Sequence, residues 1–280
     1  MEFTPLLQPS ARMPVLFMGH GSPMNAIEPN DFSPKWEALG RQFGGNTPQT
    51  WPLPQLILCI SAHWLTDGWW LTAMAQPKTI HDFGGFPQAL FDQQYPAPGA
   101  PKLAQWLSQL LKQPSTEEPL GLDGHEWGFD HGAWSVLQPM FPQAQVPVIQ
   151  LSIDYGRPPL EHFELGRQLR QLRDHGVLIL ASGNIVHNLR VMRRHASDQQ
   201  AYEWTEEFDR KIADLISAGH LQELTEFARM GRIAQLAHPT HEHYLPLLYA
   251  AGAVHDGEAP KFFNDAYQGA SIAMRSVVWG

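Results

Sequence analysis

The sequence predicts an α/β fold: a single domain with a central, mostly parallel (mixed) β-sheet flanked by helices, and a metal site at the strand C-terminal ends. Two observations predict it. Short, almost uninterrupted apolar runs alternate along the chain with amphipathic helical stretches, the order that builds parallel strands joined by right-handed crossovers. Three of those runs, each typical of a strand covered on both faces, lead to a histidine set among small residues: Gly19-His20-Gly21, Ser61-Ala62-His63 and Ser182-Gly183-Asn184-Ile185-Val186-His187.

Composition narrows what such a fold can do. The 280 residues are 43% hydrophobic and 17% charged, which suits a packed core and not a disordered chain. Lysine and arginine total 19 against 28 acidic residues, a formal net charge of −9. That sign argues against a general binder of nucleic acid or of an anionic membrane. Cys59 is the single cysteine, so neither an internal disulfide nor a thiolate zinc site is available. Any metal must be held by imidazole and carboxylate, and the chain has 14 histidines. The first thirteen residues lack the pattern of a secretion signal, and no apolar run approaches membrane-spanning length. A soluble, cytoplasmic protein is expected.

Taken in order, residues 1–13, with Pro5, Pro9 and Ser10, read as a flexible leader, and 14–280 as the domain. A strand at 14–19 delivers His20 into a loop, where the flanking glycines let the backbone turn sharply beside a ligand and Pro23 ends the strand. Trp36, Leu39 and Phe43 place a short helix within 28–42, and 44–54 is a loop. Residues 55–61 form the strand that leads to His63, with a candidate third strand at 69–75. Leu103, Trp106, Leu107, Leu110 and Leu111 share one face of a helix over 101–112. A helix over 133–140, a strand over 146–153, a helix over 161–174 and a strand over 177–181 follow, the last leading to His187. Helices over 202–217, near 221–230 and from 239 to 251 precede a final strand at 270–278.

In open α/β sheets, ligands bind at the carboxyl ends of parallel strands, so His20, His63 and His187 are expected at one mouth, with His241-Glu242-His243 at a helix start beside them. Adjacent helical side chains diverge by about 100°, so Glu242 and His243 do not both face one ion. Two sets remain open. His20, His63 and Glu242 form the two-histidine, one-carboxylate face of a non-haem Fe(II) oxygenase; His20, His63 and His243 form an all-imidazole set equally suited to Zn²⁺.

Six motifs in order make the reading specific: Gly19-His20-Gly21-Ser22-Pro23-Met24, Ser61-Ala62-His63-Trp64, His81-Asp82-Phe83-Gly84-Gly85-Phe86-Pro87, Gly128-Phe129-Asp130-His131-Gly132, Ala181-Ser182-Gly183-Asn184-Ile185-Val186-His187-Asn188 and Glu242-His243-Tyr244-Leu245-Pro246-Leu247. From residue 14 onward the chain resembles the class III extradiol ring-cleaving dioxygenases of the LigB superfamily, nearest the 4,5-DOPA extradiol dioxygenase-like branch. The resemblance implies one metal-binding α/β domain that opens a catechol ring with O₂. It implies His20, His63 and His243 as metal ligands, with His187 as a further ligand or as the acid/base beside the metal. The wider superfamily uses a carboxylate as third ligand, and His243 departs from that.

Ring cleavage implies Fe(II) for activity, since Zn²⁺, which a three-imidazole site also holds, has no redox chemistry. A neutral imidazole near its ordinary pKa suits the proton transfers; His187 is the candidate, with His131 touching dioxygen or a substrate hydroxyl and Asp130 orienting a ring nitrogen. Phe83, Phe86 and Trp127 are candidates for an aromatic wall, or simply for core. His81-Asp82 reads as a loop hydrogen bond, and Arg190, Arg193 and Arg194 as a solvated face. His125, His162, His175, His195, His220, His238 and His255 fall on polar faces or loops without a role, and Cys59 reads as buried and inert. Rival readings are a zinc hydrolase and a non-catalytic metal- or partner-binding protein on the same scaffold.

Overall fold

The computed structural model describes residues 6–45, 50–193 and 195–280; residues 1–5 of the leader, 46–49 of the 44–54 loop and Arg194 lie outside the described residues. Six strands form the central sheet: β1 (Val15–Gly19), β2 (Leu56–Ser61), β3 (Val148–Gln150), β4 (Val177–Gly183), β5 (Pro260–Phe263) and β6 (Ser276–Trp279), in the order β5-β6-β1-β4-β2-β3. The four strands from β1 to β3 run parallel, and β6 and β5 add an antiparallel edge. The sheet is therefore mixed, as expected.

Every residue of β1, β2 and β4 is buried, because helices cover both faces. Side chains alternate between the two layers with the period of a strand. Val15, Phe17, Leu58 and Ile179 pack in the core formed with α2 (Pro101–Leu110), α4 (Pro159–Leu169), α5 (Glu203–Ser217) and α6 (Leu245–Ala253). Leu16, Met18, Cys59 and Leu180 face α1 (Ser33–Gly40) and α3 (His131–Met140) on the other side. Cys59 is fully buried. Helix α6, apolar all round, crosses α4 where Gly166 and Gly252 face the partner's backbone, and a Cβ on either glycine would collide with it.

Some boundaries differ from the periodicity. The helix expected over 161–174 tightens after Leu169 into a 3₁₀ segment, Arg170–His175, that ends at Gly176 with φ 74°. Trp70–Thr72 is a strand, but it pairs with Gly121–Asp123 outside the central sheet. The strand expected over 270–278 is broken: Gly269 and Ala270 have φ 57° and 65°, and β6 starts only at Ser276. The short, half-exposed edge strand β5 has no apolar run to announce it. In the described part of the leader, Leu7 and Met13 are buried, and the amides of Ser10 and Met13 bond the carbonyls of Asp174 and Arg173. No helix among the described residues is long and apolar enough to cross a membrane.

Registry sets up the site. Gly19 pairs with Gly183 and Ser182 with Ser61, so the carboxyl ends of β1, β4 and β2 lie level, side by side.

Candidate active site

His20 follows β1, His63 lies two residues beyond β2, and the His243 loop docks on the end of β4, where Asn184 N donates to His243 O at 2.8 Å. That docking requires Gly183, because a Cβ there would collide with the His243 carbonyl. His20, His63 and His243 each offer a ring nitrogen within 4.8 Å of the other two.

The Nδ1 contacts of each ring fix which nitrogen is free. Ser182 Oγ donates its proton to Gly132 O, at 2.5 Å, and so accepts from His20 Nδ1 at 3.0 Å. His63 Nδ1 lies 3.2 Å from Asp82 Oδ2, and His243 Nδ1 lies 3.2 Å from Glu242 Oε1. With an acceptor beside every Nδ1, hydrogen-bonded for His20 and His243 and charged for His63, the proton sits on Nδ1 and each Nε2 carries a bare lone pair. Yet Nε2 of His20 and Nε2 of His63 face each other at 3.2 Å. Two lone pairs so placed repel unless a cation lies between them, and tetrahedral metal–imidazole bonds of about 2.0–2.1 Å set nitrogens about 3.3 Å apart. Burial, reinforced by neighbouring imidazoles, holds His20, His63 and His243 well below the ordinary histidine range, so all three are neutral at pH 7. The donor set fits a divalent metal.

Above these rings is a cavity of about 470 Å³, lined by Phe83, Phe86, Leu189, Met192 and Ile272 as well as by His131 and His187. His187 stacks on His243, ring centroids 3.5 Å apart and nearly parallel. Burial and the charge of His131 push His187 down to about 4, so it too is neutral at pH 7. The ring of His131 lies 3.9 Å from that of His63.

The structure thus gathers His20, His63, His131, His187 and His243 around one cavity. Glu242 groups with His187 and His243 and not with His20 and His63. Three expectations are corrected. Asp130 orients no ring nitrogen: it caps α3 by accepting from Ala133 N and bonds Ser61, Gln150 and the Trp127 indole, and burial together with the charge of Asp82 raises its pKa. Trp127 leaves the wall to Phe83 and Phe86 and stacks on Trp64 in a separate hollow. His162 and His238 are buried: His162 bonds Tyr249 OH at 2.8 Å, and His238 bonds Ile185 O at 2.5 Å. Arg190 and Arg193 are exposed, Arg193 lying over the Tyr202 ring.

The contact missed is that of Asp82, read from the sequence as a loop hydrogen bond, with His63 and His131. Asp82 sits in the loop after Thr79, which the pairing of Lys78–Thr79 with Gly128–Phe129 holds against the segment leading to His131. Its backbone faces solvent, but its side chain is only 16% exposed. Burial works to raise its pKa, but His131, by hydrogen bonding and charge, and His63, by charge alone, outweigh that and hold it at about 2.

A level row of neutral imidazoles at the carboxyl edge of a parallel sheet, beneath an apolar cavity, has the form of a metal-binding α/β enzyme with room for a small molecule. Residues 14–274 match the family model described as the catalytic LigB subunit of aromatic ring-opening dioxygenase. The chain is 48% identical to the 4,5-DOPA dioxygenase extradiol of Escherichia coli K12, over 98% of this chain and 97% of that one. It is 34% identical to the protein of the same name from Beta vulgaris, over 93% and 94%. The crystal structure of an uncharacterized E. coli K12 protein superimposes with a TM-score of 0.79 at 40% identity, covering 96% of this chain and all of that one. The chain belongs to the LigB family and is an extradiol ring-opening dioxygenase. Dioxygenases of this family are metal-dependent, and their substrates are O₂ and a small aromatic molecule.

Proposed function

We propose that the substrate is a catechol with a DOPA-like side chain and that Fe(II), held by His20, His63 and His243, is the active metal. The observation that carries the ligand set is the 3.2 Å approach of two bare Nε2 atoms, with the third ring's Nδ1 likewise committed, to Glu242. The substrate class rests on the names of the relatives and on the cavity, whose Phe83 and Phe86 suit a flat ring. A bound Fe(II) lowers the pKa of the catechol hydroxyls and supplies the redox chemistry for O₂, which Zn²⁺ does not.

The protein's own residues do the rest. His187, neutral and at the cavity wall, accepts the hydroxyl proton, holds it on its imidazole and returns it as the ring opens. His131 receives a hydrogen bond from the second hydroxyl. The apolar wall excludes water and orients the ring. Metal-stripped protein reloaded anaerobically with Fe(II) or Zn²⁺, then given air and L-DOPA or simpler catechols, tests this. Oxygen uptake and a yellow product with iron only are expected. Uptake with neither metal for any catechol would refute the assignment.

A further inference from the structure

We infer that Asp82 is a positioning residue shared by two imidazoles, fixing at once the tautomer of His63 toward the metal and that of His131 toward the substrate; the inference rests on the ligand set proposed above. Asp82 Oδ2 lies 3.2 Å from His63 Nδ1 and 2.9 Å from His131 Nδ1, and Asp82 Oδ1 accepts the backbone N–H of His131 at 2.9 Å. A carboxylate only accepts hydrogen bonds. Both Nδ1 atoms lie off the line of a linear hydrogen bond, so the contacts act through charge. A bare Nδ1 lone pair at these distances is repelled by the carboxylate and an N–H is attracted, so both rings present Nδ1–H to it and keep Nε2 unprotonated when neutral. For His63 that nitrogen faces His20. For His131, which lines the cavity, it is the atom left for a substrate hydroxyl.

The two rings are also in contact with each other, so one oxygen sets a rigid pair. The carboxylate is itself braced. Ile80 N donates to Phe129 O at 2.7 Å, and Trp134 Nε1 donates to Ile80 O at 3.0 Å, tying the Asp82 loop to the start of α3, which carries His131. Glu242 bears on His243 in the same manner, but on that ring alone among the rings around the cavity.

The test compares Asp82→Asn with Glu242→Gln in zinc-loaded, ¹⁵N-labelled protein, reading histidine tautomers by long-range ¹⁵N NMR and zinc affinity by chelator competition. Neither readout needs turnover, so failure of the catechol assignment leaves this test intact. Wild type should show Nδ1–H at both His63 and His131. In Asp82→Asn the backbone N–H of His131 keeps the amide oxygen, which leaves the amide nitrogen, a donor only, facing the two Nδ1 atoms, so this variant should move the His131 proton to Nε2 and weaken zinc binding about 10- to 100-fold. Glu242→Gln should weaken zinc without changing His131, and Asp82→Glu should restore the wild-type tautomers. Two results overturn the inference: an Nε2–H tautomer at His131 in the wild type, which needs no variant to fold, or an Asp82→Asn protein with both tautomers unchanged and zinc affinity within twofold.

Discussion

Replacing Gly183 with alanine probes the docking of the His243 loop on β4. The new Cβ would collide with the His243 carbonyl oxygen and lie 3.2 Å from both the His243 carbonyl carbon and Pro246 Cγ. Restoring ordinary contact requires the loop to withdraw by about 1 Å, which stretches the 2.8 Å bond from Asn184 N. It also draws the His243 ring away from His20 and His63, whose ring centroids lie 5.3 and 5.0 Å from it. Misplacement of about 1 Å costs about 10²-fold in rate, and overpacking costs about 1–3 kcal/mol, a fall in Tm of roughly 2–12 °C. Oxygen uptake by Fe(II)-loaded enzyme, zinc affinity and thermal unfolding measure the three effects. Gly124→Ala is the control, because no atom lies within 4 Å of its added Cβ. A Gly183→Ala enzyme with wild-type kcat and zinc affinity would refute the view that this close approach sets the His243 position.

Two further perturbations separate chemistry from scaffold. His187→Ala should lower kcat about 10²- to 10⁴-fold with zinc affinity changed less than about threefold on the acid/base reading; a parallel loss of metal would make His187 a ligand instead. Glu258→Gln removes the partner of Arg173, whose side chain is fully buried and bonds Glu258 through two contacts of 2.7 Å. Leaving that guanidinium uncompensated should cost about 3–5 kcal/mol in urea unfolding at pH 7, with kcat unchanged well below Tm; a loss under about 1 kcal/mol contradicts the reasoning. Burial works to raise the pKa of Glu258, but Arg173 and the His255 N–H outweigh that and hold it below the carboxyl value of 4.5. A depressed folded pKa gives stability that is present above 4.5 and lost as pH falls through the folded value. Wild type should therefore lose part of its advantage over Glu258→Gln below pH 4.5.

His20, His63 and His187 were legible because each ends or follows an apolar run, and parallel strands bring such ends together whatever the intervening loops do. His243 was harder to read. It follows no strand, and its place depends on a glycine sixty positions away along the chain. The role of Asp82, read as a loop hydrogen bond, was invisible because its partners, His63 and His131, meet it only through short pairings between loops, which leave no periodic pattern. Asp130 did leave a signal: an aspartate just before a helix is a cap before it is a hydrogen-bond partner for histidine. The helical pattern over 161–174 was sound as to face and wrong as to pitch after Leu169.

The level strand ends also bear on when the site can exist during synthesis. His20 lies 162 residues from Ser182, which fixes its tautomer; Gly19 N bonds Ser276 Oγ 257 residues away, and Ser22 N bonds Gln268 Oε1 at 2.8 Å across 246. Loops of that length are closed at an entropic cost before any of these contacts can return it, which makes such folds slow to form. A nascent chain that has already exposed His20 and His63 still lacks β4, the His243 loop and the C-terminal strands that lock β1. The level row of imidazoles thus comes together only once those later segments have been made and folded onto β1.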